Sequence, residues 1–154
     1  MDIRQLDRAN LKHENGLDAQ RLLPWASLNA PFEGSWCVVK PGTASIAHAH
    51  HEYEIFIAVK GKSVLESGDE RAEFNAGDIV HFPPNTEHRV VNESGADFEM
   101  YSVWWDKDMA TKFTARHAEN NENNRANSGE QSPRNNVENS AENESGVADK
   151  ESAT

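Results

Sequence analysis

Two glycine-bounded segments constrain this chain more than any other feature, because together they carry four potential metal ligands, His48, His50, Glu54 and His88. The first, GTASIAHAHHEYEIFIAVKG, has the form G-x5-H-x-H-x3-E-x6-G; the second, GDIVHFPPNTEHRVVN, has the form G-x5-P-x-N-x2-H-x3-N. On a strand, His48 and His50 lie two residues apart and point the same way. A carboxylate a turn later and a third histidine from a distant hairpin can then converge with them on one ion. Three imidazoles and one carboxylate suit Zn, Fe, Mn, Ni or Cu far better than Ca or Mg. Glu54 leads into the apolar run IFIAV, where an unpaired carboxylate would carry a desolvation penalty that coordination removes. Glu52 is the competing ligand, and the spacing to Gly61 favours Glu54.

These paired segments resemble the two motifs of the cupin superfamily. Gly42, His48, His50, Glu54 and Gly61 fall at the spacing of the first motif, and Gly77, Pro83, His88 and Asn92 at that of the second. One position departs: Asn85 stands where the family most often has glycine. Asparagine is the non-glycine residue that best tolerates positive φ, so the turn should survive. The resemblance covers roughly residues 34–106. It implies an all-β fold, the double-stranded β-helix: a small antiparallel barrel or jelly roll with one divalent transition metal ion inside. Zinc and iron come first, with manganese, nickel and copper behind them. It also implies pairing of barrels as a homodimer through their sheet faces. More narrowly, HAHHEYEIFIAVKG, GDIVHFPPNTEHRVVN and MYSVWWD look like the cupin domains of hydrazine-forming synthetases. There a synthetase-like module makes an amino-acid ester of an N-hydroxylated amine, and the metal cupin directs its rearrangement to an N–N bond. This chain has no room for that module, so an amino-acid-activating, synthetase-like partner would be required.

The length, 154 residues, allows one domain of ordinary size. All four Trp, both Tyr and all six Phe lie at or before Phe113. Beyond Arg116 the text is rich in Asn, Glu and Ser with no apolar period, and such a segment cannot offset its ordering entropy by burial. The expected division is an N-terminal arm over 1–33 that packs on the barrel, a barrel domain over 34–116, and a disordered tail over 117–154. Net charge is −11, and no Lys/Arg run occurs, which argues against nucleic acid and anionic membrane surfaces as partners. The N-terminus is too polar for a signal peptide, and a lone Cys37 fits a reducing compartment, so the expected location is the cytoplasm.

Along the chain, LDAQRLLPWASL has some helical spacing that Pro24 interrupts, so the arm is expected to be short and extended or helical. GSWCVVKPG and EIFIAVKG read as strands. KSVLESGDERAEFNAG reads as a hairpin turning at Ser67-Gly68-Asp69. DIVHFPP, HRVVN and DFEMYSVWWD complete an all-β pattern.

The other candidate residues are weaker. His51 should point away from the ligand pair, and His81 is a rim or pocket histidine. His13 and His117 are surface residues. Cys37 reads as a buried thiol. Among Trp36, Phe56, Phe82, Tyr101, Trp104 and Trp105, most should be core and one or two should wall the pocket. Lys40, Arg71 and Arg89 are the cations available to a substrate carboxylate. The functional expectation is a metal-dependent enzyme on a small polar metabolite, with N–N bond formation as its narrow form. The alternatives are a non-catalytic small-molecule binding or sensor module, an iron-dependent dioxygenase, and a structural accessory subunit.

Overall fold

The computed structural model describes residues 1–128. Its strands are β1 (Lys12–Glu14), β2 (Leu17–Arg21), β3 (Glu33–Val39), β4 (Tyr53–Lys60), β5 (Lys62–Ser67), β6 (Glu70–Asn75), β7 (Ile79–Phe82), β8 (Arg89–Val91) and β9 (Phe98–Trp105), followed by helix α1 (Lys107–Ser128). A six-stranded sheet runs in the order β1-β2-β3-β9-β4-β7, and a three-stranded sheet in the order β6-β5-β8; every pairing is antiparallel. Alternation along the strands sends one set of side chains between the sheets. Leu17 and Ala19 of β2, Cys37 and Val39 of β3, Phe56 and Ala58 of β4, Leu65, Phe74, Val90, Phe98 and Met100 form a single buried cluster there. This is the all-β cupin barrel that the motifs imply.

Turn chemistry holds the strands in register. Gly61 joins β4 to β5 at φ 84°, and a Cβ there would lie 3.0 Å from the Asp97 carbonyl oxygen, so glycine is required twice over. Asn85 sits at φ 62°, the left-handed region in which asparagine can replace glycine. Its N–H donates to the His50 carbonyl (2.6 Å), which ties the second motif to the first. Asn92 is fully buried and fully satisfied. Its Nδ2 donates to the carbonyls of Val39 and Ala96 (both 2.8 Å), and its Oδ1 accepts from Ser94 N (2.9 Å) and Oγ (2.6 Å). A buried side-chain amide with all its valences used specifies one arrangement of the β8–β9 connection.

Three features differ from the expectation drawn from the sequence. Residues 12–14 and 17–21 form strands β1 and β2, with β2 hydrogen-bonded to β3 and β1 to β2, so the arm enters the sheet rather than only leaning on it. The chain between Pro41 and Glu52 is not a regular strand. It makes two isolated bridges, Ala44 with Val91 and His48 with His88. The tail boundary at 117 falls inside α1, which begins on a capped N-terminus: Asp106 Oδ1 accepts the Met109 N–H at 2.7 Å. Arg116 then anchors the helix on the 23–33 connection through Asn29 Oδ1 (2.8 Å) and the Ala30 carbonyl (3.2 Å). A cap and an anchor support a helix that is polar on nearly every face. The rest of the expected tail, 129–154, lies outside the described residues. Among the described residues no helix is long and apolar enough to cross a membrane.

Candidate metal centre

The four ligands read from the sequence come together at the floor of a cavity of about 230 Å³ between the sheets. Glu54 is on β4, facing inward between β7 and β9, where its register partners are Phe82 and Trp104. His88 precedes β8, and His48 faces it across the isolated bridge, with backbone hydrogen bonds in both directions (3.3 and 3.0 Å). This bridge replaces the regular strand as the device that aims the histidines. The ring centroids of His48, His50 and His88 are 4.8–5.5 Å apart. One donor atom from each of the three rings and Glu54 lies within 4.8 Å of every other. Donors gathered this closely could hold a single ion after a small closing movement, since bonds to nitrogen and oxygen are about 2.0–2.2 Å.

The hydrogen bonds behind the rings decide which nitrogen faces inward. His48 Nδ1 meets the Ile46 carbonyl and His88 Nδ1 the Thr86 carbonyl, both at 2.8 Å. A carbonyl only accepts, so Nδ1 carries a proton in each ring and Nε2 is the nitrogen turned towards the cavity. His50 is different. Its Nδ1 is buried without an aligned hydrogen bond, although Glu52 Oε2 lies 3.2 Å away. The distance marks Glu52 as a neighbouring charge, and the poor alignment denies it the role of a hydrogen-bonded acceptor. Glu52 is therefore not the fourth ligand but stands behind one.

Glu54 is 5% exposed, and its Oε2 lies 3.0 Å from both His50 Nε2 and His88 Nε2, while Ser102 Oγ donates to Oε1. Burial alone would push its carboxyl up. The hydrogen bonds from His88, Ser102 and His50 together outweigh burial and hold it below the usual carboxylate value. Its anion is thus favoured in a buried pocket, with the Nε2 atoms of His50 and His88 each 3.0 Å from Oε2, and a bound ion would take the place of the protons that make those hydrogen bonds. This donor set fits a transition metal ion. Held by His48, His50, Glu54 and His88, such an ion would supply Lewis-acid polarisation of a bound oxygen. The chain's own part is to hold the carboxylate ionised, to fix the tautomers of His48 and His88, and to wall the site. Phe82 stacks on His88 (4.2 Å, 12°) and Phe56 meets it edge-on (5.4 Å, 72°), which holds the His88 ring in place.

The remaining candidates separate cleanly. Phe56 and Trp104 wall the cavity, and Cys37 lines it as a buried thiol that burial pushes up to about 12, a poor nucleophile. Trp36 and Tyr101 pack edge to face on the other side of the sheet. There, too, His81 stacks with Tyr53 and Trp105, away from the metal centre. His51 is exposed and reaches Asp106 (3.0 Å). None of the three cations singled out for a substrate carboxylate lines the cavity. Lys40 pairs with Asp97, Arg71 with Glu93 and Glu66, and Arg89 with Glu66. The cation that does line it is Arg21, which sequence reasoning passed over.

Comparison with known proteins agrees with the fold. A model of the Cupin domain family matches residues 35–104. A solved cupin 2 conserved barrel domain protein from Salinispora arenicola is 56% identical, with a TM-score of 0.74 over 76% of this chain and 98% of its own. A solved protein from Photorhabdus luminescens is 42% identical, with a TM-score of 0.74 over 77% of this chain and 99% of its own. An uncharacterised protein of Methanocaldococcus jannaschii is 29% identical over 56 residues, 36% of this chain and 45% of that protein. The match therefore spans less than half of that relative.

Proposed function

Since the chain belongs to the cupin family, we propose that it is a metal-dependent enzyme acting on a small polar metabolite in the cavity above His48, His50, Glu54 and His88. The observation that carries the reading is the buried Glu54 carboxyl gathered with the inward-turned Nε2 atoms of His50 and His88 and with His48 beside them. A purely structural barrel would gain nothing from a carboxylate there, because burying one without compensation is costly. Zinc and iron are the ions we assign first, from the imidazole-rich donor set. The test is elemental analysis of the purified protein, followed by a metabolite screen on metal-loaded and chelated samples. Turnover lost on chelation and restored by one metal supports the reading. Thermal stabilisation by a metabolite with no turnover would instead make the chain a binding module. The narrower form, N–N bond formation from an amino-acid ester of an N-hydroxylated amine, adds a separate synthetase-like partner and rests on the motif likeness alone.

We further propose that the chain pairs with a second copy through the outer face of the six-stranded sheet. Tyr53 (45% exposed), Val59 (44%) and Ile79 (66%) project from that face beside the stacked Trp105, an apolar surface suited to a self-complementary interface. Sedimentation should show a dimer, and Ile79→Lys should shift it towards monomer. A monomeric parent protein would overturn the assignment.

A further inference from the structure

The cavity has a charged mouth as well as a metal-binding floor, and Arg21 carries it. β2 sends Leu17, Ala19 and Arg21 to one side, so the two residues that enter the core also aim the guanidinium at the cavity. Arg21 is the only cation among the cavity-lining residues. Two contacts hold it. Its guanidinium carbon lies 5.0 Å above the Trp104 ring, and its Nε and Nη2 donate to the two oxygens of Glu14, each at 2.9 Å. Trp104 is also the β9 residue opposite Glu54, so one indole lies under the guanidinium and beside a metal ligand. Glu14 occupies one edge of the planar fork. Among the described residues no hydrogen bond is made to Nη1. A guanidinium pinned on an aromatic face with a donor edge in reserve is organised to receive a planar oxyanion.

We infer that Arg21 is the specificity-determining residue of this site and that the substrate is a small carboxylic acid. Its carboxylate is received at the mouth by Arg21, and its other polar group reaches the floor. This rests on the proposed reading of the site as a metal-dependent one. The size agrees: about 230 Å³ lies below the roughly 300–1,000 Å³ typical of pockets for drug-sized ligands. The walls agree as well, since Phe56, Met100 and Trp104 give the cavity an apolar surface for the carbon skeleton of a small acid. Glu14 then acts as a built-in competitor. It occupies the fork while the cavity is empty and sets a threshold that an incoming carboxylate must exceed.

The test is calorimetric titration of the zinc-loaded full chain with succinate and lactate, each beside its neutral amide, for the parent protein, Arg21→Met and Glu14→Gln. Zinc content is measured on the same samples. Removing a charge-assisted bond should weaken acid binding by Arg21→Met about tenfold or more. Freeing the guanidinium edge in Glu14→Gln should strengthen it, and the amides should bind poorly to all three. Equal acid binding by the parent and Arg21→Met, amide binding as strong as acid binding, or no saturable acid binding at millimolar concentration each overturns the inference. If Arg21→Met fails to fold, weakened or unchanged binding by Glu14→Gln overturns it alone. Arg21-dependent binding without zinc in any sample would leave the inference standing and end the metal reading. Stoichiometric zinc with Arg21-independent binding would do the reverse.

Discussion

Replacing His48 and His88 together by alanine should reduce bound metal from about one ion per chain to background while the barrel remains folded. Both rings present Nε2 inward because a carbonyl holds Nδ1, so each substitution removes one preformed donor. The loss of two of four ligands leaves His50 and Glu54, too few to close a site. His88 is 1% exposed and stacked on Phe82, so its removal also opens a void beside that ring, at a stability cost of about 1–3 kcal/mol. Elemental analysis and far-ultraviolet circular dichroism on the same sample separate the two effects. Chelation should lower the melting temperature of the parent protein and leave that of the double variant unchanged, since an ion stabilises only the form that binds it. Undiminished metal in a folded double variant would remove these residues from the site.

Phe98→Ala should destabilise the barrel by about 3–5 kcal/mol, read as a lower urea midpoint. Phe98 is fully buried on β9 of the six-stranded sheet, and its ring meets Phe74 of β6 in the three-stranded sheet at 5.7 Å and 58°. The pair spans the two sheets, and truncating one ring leaves a cavity that neighbouring backbone cannot close. Against a typical total stability of about 5–15 kcal/mol, the loss is a large share. The metal content of the chains that stay folded should not change, because neither ring stacks on His48, His50 or His88. A loss below about 1 kcal/mol would show that this pair does not hold the sheets together.

The four candidate ligands were legible in the chain because coordination leaves little choice of residue type, and Gly61, Asn85 and the Pro83-Pro84 turn mark the bends that return them to one point. The device that aims His48 was not legible. A two-residue alternation suggested a regular strand, whereas the structure uses an isolated bridge to His88, a pairing across a long stretch of sequence. Helix α1, Lys107–Ser128, was missed altogether. Its polar text lacks an apolar period, and its support comes from the Asp106 cap and the Arg116 anchor on the 23–33 connection.

The division follows range. Local grammar, meaning ligand identity, glycine and asparagine in the turns, and alternating apolar runs, pointed to an all-β chain with a candidate donor set, and the family resemblance supplied the barrel. Which cation faces the cavity was decided only by tertiary structure. Lys40, Arg71 and Arg89 are drawn to carboxylates outside the cavity, while the β2–β3 register, which sets Arg21 opposite Ser35, turns the Arg21 side chain inward over Trp104. A one-residue slip in that register would move Arg21 to the other face of the sheet, and no local property of the chain records such a slip.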